Sequence, residues 1–381
     1  MDHANTWIEI DEGALRRNAG IFRALAGADR KLMAVVKSDA YGHGMIGVAR
    51  AALAAGADWL GVFSSSEGLA LRAKGIDAPV LVLGPTPEGR LAEAVAAGLR
   101  VTVASIEAAH ELARLAPAAA AAHLKIETGT NRQGLAGDEL LEMARVLKRA
   151  GVGIEGAYTH FADIEDTTDH GYAEKQLAAF VAQTDLLGRA GIAVRLPHTA
   201  CTAATILFPD TYFKMVRVGI GLFGLWPSKE THVSAKSLGR NGLDIAPVMT
   251  WKTRVAQVKP IAAGDYVGYG RVFRTTRPTR LAVLPVGYAD GYDRGLSNAA
   301  HVLVRGVRAP VRGRVCMNLT MVDVTDVPGA AAGDEVVLLG RQGDERIAAE
   351  DLARLAGTIN YEIVTRAAPG APRVMVRGRQ A

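Results

Sequence analysis

The chain has 381 residues, 49% of them hydrophobic and 22% charged; that length exceeds one ordinary hydrophobic core, and that composition excludes a disordered or fibrous chain. Its 44 basic and 39 acidic residues leave a net charge of +5 without any dense Lys/Arg run, which argues against a nucleic-acid surface and suits a phosphorylated or carboxylate ligand. Two cysteines, Cys201 and Cys316, exclude a disulfide framework and fit a reducing compartment. The first residues lack the basic-then-apolar order of a secretory signal, and no uncharged apolar run reaches the ~20 residues of a membrane span. A cytoplasmic protein with no membrane partner and no nucleic-acid partner is expected.

From residue 31 to about 224, short apolar runs rich in β-branched residues alternate with Ala/Leu/Arg segments of helical period. In chain order the runs are 31–37 (KLMAVVK), 58–63 (DWLGVF), 79–84 (PVLVLG), 100–105 (RVTVAS), 123–128 (HLKIET), 154–160 (IEGAYTH), 194–199 (VRLPHT) and 215–224 (MVRVGIGLFG). The segments 138–150 and 172–190 space apolar residues three and four apart, as amphipathic helices do. The alanine-rich stretch 116–122 reads as a loop or helix end. Roughly eight βα units in a row are what a (β/α)8 barrel requires. A doubly wound open sheet is the rival, but the Gly-rich dinucleotide fingerprint is missing after the first strand.

Beyond about residue 240 the texture changes. The runs 248–258 (VMTWKTRVAQV), 280–287, 301–304, 320–324 and 335–339 are separated by Gly/Pro/Asp turns, with one helix near 348–356. The expected fold class is therefore α/β plus β. An N-terminal (β/α)8 TIM-like barrel spans residues 12–240, and a mainly β C-terminal domain spans 241–381 and is joined by the N-terminal strand in residues 1–11.

In such a barrel, catalytic groups sit at the C-terminal ends of strands, and phosphate sites tend to follow the seventh and eighth. Lys37 ends the first run, within AVVKSDAYGHG. A lone lysine there is ordinarily a solvated charge, but an amine on a rigid strand at the barrel mouth is able to form a Schiff base with an aldehyde cofactor when its pKa is lowered. Arg217, in MVRVG, stands inside an apolar strand, where burial is costly without a partner. A barrel-core ion pair is the alternative to a ligand-facing role. His160 and His198 stand at two further strand ends, as buried satisfied histidines or as site residues.

Lys37 with SDAYGHG resembles the lysine motif of alanine racemases. The segments TWIEID, VGYGR, VGYADG, GRVCM and TINYEIVTR resemble that family in the same order, nearly end to end. The resemblance implies a racemase that interconverts L-alanine and D-alanine with pyridoxal 5'-phosphate (PLP), works as a homodimer with shared active sites and supplies D-alanine for peptidoglycan. It assigns the cofactor to Lys37, with Thr202, Gly219, Ile220, Tyr41 and Tyr361 around the phosphate. His160 and His198 would stack under or support the arrangement. Arg217 would face the pyridine nitrogen. Because arginine keeps its proton, that nitrogen would stay largely unprotonated, which weakens the ring as an electron sink and suppresses transamination.

Racemisation removes a proton from one face of Cα and returns it on the other, and two opposed bases avoid any swinging movement. The resemblance gives the D-substrate's proton to Lys37 and the L-substrate's to Tyr269, in VGYGR, from the neighbouring subunit. Tyrosine titrates near ~10 and needs a neighbouring cation or donor for such work. By the same resemblance, Arg132 and the backbone N–H of Met317 hold the substrate carboxylate. Lys125 matches a lysine often carbamylated in relatives, which orients this arginine, while Tyr288, Arg294, Arg314 and Ile359 line the access corridor. No metal is implied.

Several positions depart from the family pattern. Thr202 stands where Ser is usual, Asn318 where Asp is common, and Thr130 and Gln133 where Met and Leu are usual. Asn318 removes a charge near the second base, Thr130 and Gln133 bring a polar group close to Arg132, and the pocket is expected to tolerate a polar side chain such as serine's. The alternatives are a racemase with broader or serine-preferring specificity, a PLP decarboxylase and a non-catalytic PLP-binding protein. The Gly-Gly-Gly loop and Cys-Glu segment of the decarboxylase are absent, and the β-rich segment with Tyr269 argues against the binding protein.

Overall fold

The computed structural model describes residues 5–115, 120–240 and 242–377. Residues 116–119 of the expected loop or helix end, and residues 1–4 of the expected N-terminal strand, lie outside the described residues. The described chain forms two compact units. One comprises Ala14–Ala40 and Met45–Ala246; the other comprises the described parts of Met1–Gly13, Tyr41–Gly44 and Pro247–Ala381.

Strand β1 (Thr6–Asp11) belongs to the second unit. The first is built on β2 (Lys31–Val35), β3 (Trp59–Val62), β4 (Val80–Val82), β5 (Arg100–Val103), β6 (Ala121–Lys125), β7 (Gly153–Tyr158), β8 (Leu196–His198) and β9 (Met215–Val218). These strands form one parallel eight-stranded sheet in which neighbours in sequence are neighbours in space, and β2 also pairs with β9. At the remaining seam, Lys214 N–H donates to Pro197 O at 3.1 Å and Arg217 N–H to Ala200 O at 3.0 Å, so the barrel is nearly closed. This is the expected TIM-like architecture. Every residue of β3, β4 and β9 is buried. Parallel strands covered on both faces read as unbroken apolar runs because neither face meets water.

The intervening helices present an apolar stripe to the sheet. Gly137–Arg149 buries Leu140, Leu141, Met143, Ala144, Val146 and Leu147, with Asp138 and Glu139 in its first turn and Lys148 and Arg149 in its last. Those charges complement the helix dipole at both ends. Ser65–Ala73 starts with a capping box, in which Ser64 and Glu67 satisfy each other's backbone N–H groups.

The second unit contains β10 (Met249–Arg254), β11 (Gln257–Ile261), β12 (Thr279–Leu284), β13 (His301–Val304), β14 (Val307–Pro310), β15 (Thr320–Asp323), β16 (Glu335–Gln342), β17 (Glu345–Ile347) and β18 (Arg373–Val376). One sheet runs β14-β13-β16-β10-β1-β18, with β17 added to β16, and a smaller sheet runs β11-β12-β15. The expected single run 248–258 is thus two strands in different sheets. Val255 N–H donates to Asp334 O while Ala256 N–H donates to Val283 O, so the chain changes partners between adjacent residues. The expected helix is Ala349–Ala356, closed by Gly357 at φ 71°. Among the described residues, no helix is long and apolar enough to cross a membrane.

Candidate active site

β2 ends at Val35, so Lys37 stands two residues beyond the strand, not at its last position. The four residues after it, Ser38, Asp39, Ala40 and Tyr41, have φ between 53° and 55°. This is a left-handed helical turn without a glycine, and it costs about 1–2 kcal/mol per residue. Hydrogen bonds from within and beyond it help to hold it. Ala40 N–H donates to Val36 O at 2.8 Å, Ser38 N–H to Glu67 Oε1 at 2.6 Å, and Met45 N–H to Asp39 Oδ1 at 2.7 Å. Burial lowers the Lys37 pKa first and the Arg132 charge lowers it further, against the opposing charge of Glu67. The strained turn thus presents an amine less basic than an ordinary lysine.

Arg217 lies buried on β9. Its Nη1 donates to His198 Nδ1 at 2.9 Å and His198 O at 3.0 Å, and its Nη2 to Thr159 O at 2.9 Å and Thr199 O at 3.0 Å. Among the described residues, no carboxylate pairs with it, so the core ion pair is not formed. His160 Nδ1 stands at 3.5 Å. Tyr158 stacks parallel on His198 with ring centroids 4.9 Å apart, and the Arg217 guanidinium lies 5.3 Å from the Tyr158 centroid. Burial and then the Arg217 charge push His160 and His198 far below the usual histidine range, so both rings are neutral.

Thr202 and Gly219 follow the seventh and eighth barrel strands. The Thr202 hydroxyl accepts from Gly219 N–H at 3.1 Å, and Ile220 opens the next turn. Gly221 makes this approach feasible, because a Cβ there would fall 2.7 Å from Thr202 Cγ2 and would overlap the Phe22 ring. The neighbouring Cys201 thiol is buried and pushed up to about 12, which leaves it inert.

Arg132 is exposed on the loop after β6. That loop is organised by Glu127, a residue the sequence reading passed over. Burial opposes its ionisation, yet the backbone N–H groups of Gly129, Asn131, Thr130 and Arg132 hold its carboxyl below the usual range. Asn131, at φ 52°, takes the left-handed conformation inside this loop. The acidic residue ahead of a Gly-Thr-Asn turn was the available signal. Lys125 is buried with Nζ 4.9 Å from the Tyr158 centroid. Burial, then the Arg217 charge, bring it down to about 7, with Glu127 opposing.

The Thr130 hydroxyl donates to His160 O at 2.5 Å, and buried Gln176 contacts both groups, so Thr130 helps to hold the His160 loop. Gln133 does line a cavity of about 320 Å³ together with Arg132, Thr86, Ser105 and Glu111.

In the second unit, Tyr41 and Tyr361 approach with ring centroids 6.2 Å apart. Tyr269 is 72% exposed, and Met317, Tyr288 and Ile359 are exposed as well. Arg294 is also exposed, and the Arg314 guanidinium packs over Gly270, where a Cβ would meet it at 3.3 Å. The Asn318 amide lies 3.5 Å from the Asp290 carboxylate, which accepts Gly287 N–H. An acidic group therefore does stand beside Asn318, supplied by another residue.

A parallel barrel with a low-basicity lysine just past its first strand, and a guanidinium buried without a carboxylate on its last, defines a lysine-bearing (β/α)8-barrel enzyme. The family model "Alanine racemase, N-terminal domain" matches residues 10–227 and "Alanine racemase, C-terminal domain" matches 248–375. The chain belongs to the alanine racemase family and is an isomerase. Alanine racemases of Desulfosudis oleivorans and Symbiobacterium thermophilum are 43% and 44% identical, covering 99% and 97% of this chain and 98% and 96% of theirs. The solved alanine racemase of Bacillus anthracis with bound L-Ala-P has a TM-score of 0.92 at 36% identity, covering 99% of this chain and 96% of that one. That of Streptomyces coelicolor has a TM-score of 0.90 at 38% identity, covering 98% of each.

Proposed function

We propose that the protein interconverts L-alanine and D-alanine with pyridoxal 5'-phosphate by a two-base mechanism, in a homodimer that supplies D-alanine for peptidoglycan. The observation that carries the cofactor is the state of Thr202 and Arg217. Thr202 accepts from Gly219 N–H and, among the described residues, no acceptor takes its own proton. That donor and the N–H of Ile220, the first of its turn, suit phosphate oxygens. Arg217, a buried cation without an anionic partner, suits a ring nitrogen that keeps its lone pair. Lys37 supplies the amine that an aldehyde requires. The barrel residues fit the group, and the family resemblance adds Tyr41 and Tyr361 to the phosphate side.

When bound, PLP supplies the electron sink that acidifies the substrate's Cα–H. Lys37 takes or returns that proton on one face, and its lowered basicity leaves more of it in the neutral, proton-accepting form. Tyr269 of the partner subunit serves the opposite face; its exposure in the single chain supports this role. Arg132 and the Met317 N–H hold the carboxylate, while Tyr288, Arg294, Arg314 and Ile359 line the access corridor. His160 and His198, being neutral, support the cofactor without adding charge. Lys125, with a pKa of about 7, has the free amine that carbamylation by CO2 needs.

The test follows chiral composition with L-alanine and D-alanine as separate substrates. Wild type is expected to drive both to an equal mixture. Lys37→Ala is expected to be inactive and Tyr269→Phe slowed at least 100-fold, about the lower end of a single acid–base contribution. Untouched alanine with PLP bound would overturn the reading.

A further inference from the structure

Guanidinium N–H groups only donate. The 2.9 Å contact from Arg217 Nη1 therefore makes His198 Nδ1 the acceptor and leaves the His198 proton on Nε2. That Nε2–H points 2.9 Å to His123 Nδ1, which in turn leaves the His123 proton on Nε2. This last nitrogen is buried without a hydrogen bond among the described residues. The Glu155 carboxylate stands 3.7 Å from it and is itself held by Arg100 Nε at 3.1 Å. A shift of about 0.7 Å closes the gap to hydrogen-bond range. The row thus runs from a group that only donates to a group that only accepts, with every proton direction fixed between them.

The surrounding chain is shaped to this row. Ala122 pairs with Ile154 and His123 with Gly156, so Glu155 is the extra residue of a β-bulge between β6 and β7. A bulge re-aims the side chain it carries. Gly156 leaves the slot that the His123 ring occupies, for a Cβ there would overlap the ring. Trp59 packs edge-on against His123 with centroids 5.6 Å apart, and Tyr158 stacks on His198.

We propose that Glu155 is a positioning residue of the active site, acting through His123 and His198 on Arg217. A carboxylate behind an imidazole N–H makes the ring's other nitrogen a stronger acceptor. Passed through two rings, this draws the Arg217 proton toward His198 and weakens the guanidinium as a donor on its other side. Resting on the reading that Arg217 faces the cofactor's ring nitrogen, Glu155 keeps that nitrogen unprotonated and restrains transamination.

The experiment is long-range 1H–15N spectroscopy of histidine-labelled protein, cofactor-free and PLP-loaded, in wild type, Glu155→Gln and Gly156→Ala. In wild type, both rings are expected as Nε2–H tautomers. In Glu155→Gln, the His123 and His198 ring resonances both shift, although residue 155 does not touch His198. In the loaded variants, transamination per racemisation turnover rises about threefold to tenfold, the scale of a charge-assisted hydrogen bond partly transmitted. Gly156→Ala displaces the ring at unchanged charge and serves if Glu155→Gln does not fold. An Nδ1–H tautomer in either wild-type ring, or identical His198 resonances in Glu155→Gln, overturns the row. Shifted resonances with an unchanged side-reaction ratio overturn its link to the cofactor. The cofactor-free spectra decide the row even if the protein racemises no alanine.

Discussion

At the scale of single residues, the barrel interior is defined by cations deprived of solvent. Lys125 shows the consequence for stability. Its folded pKa of about 7 lies below the ~10.4 of an exposed lysine, so between these values the folded state binds fewer protons than the unfolded chain. Below pH 7 both states are protonated, and the full cost of burying the charge is present. As pH rises through this window the cost falls, and stability rises. Urea unfolding of wild type against Lys125→Met should show the mutant's advantage shrinking by about 2–3 kcal/mol from pH 7 to 9.5. A constant difference would mean that Lys125 titrates normally. The same neutral amine should take up 13C-labelled bicarbonate as a carbamate resonance that is absent from Lys125→Met. The resulting anion would stand among the Arg217 and Arg132 charges that now depress the amine.

At the scale of elements, the parts legible in the sequence were those governed by local patterns. β3 and β4 could be read because burial on both faces leaves a continuous apolar run, β9 because a single arginine interrupts an otherwise apolar one, and Gly137–Arg149 because its stripe repeats every three to four residues. The left-handed turn after Lys37 could not be read. None of Ser38, Asp39, Ala40 and Tyr41 is a glycine, and the strain is held by contacts distant in sequence. The sheet change at Val255 was hidden because the run 248–258 continues unbroken through it. Of the site, Lys37 and Arg217 stood out as charges in apolar settings. Glu67, Glu127 and Glu155 look like solvated surface acids until the fold brings N–H groups to them. Ser64 and Glu67 do spell a capping box, but nothing local indicates that the same carboxylate also grips Ser38 N–H. Glu67→Ala removes both functions and should cost about 2–4 kcal/mol in thermal or urea unfolding, more than a cap alone. It should also weaken PLP binding by loosening the Lys37 turn. A loss of only about 1 kcal/mol with unchanged PLP affinity would confine Glu67 to capping its helix.

At the scale of the whole molecule, the proposed mechanism splits each site between two chains, and this has an arithmetic consequence. Tyr269 is 72% exposed and Met317 57% in the single chain, with Ile359 at 58%. Under that mechanism, the exposure of Tyr269 and of these large apolar side chains is what a surface completing another subunit's site would present. In a two-fold dimer, Lys37→Ala disables the site in its own barrel, and Tyr269→Phe disables the site in its partner's. A mixed dimer of the two therefore has one site with both lesions and one with none. Unfolding and refolding an equal mixture of the two inactive variants should restore about a quarter of wild-type activity, since half the dimers are mixed and each carries one intact site. A site built within one chain would give no recovery, because every barrel would keep a lesion of its own. Recovery that vanishes on dilution and returns on concentration would also show that the restored activity belongs to the dimer.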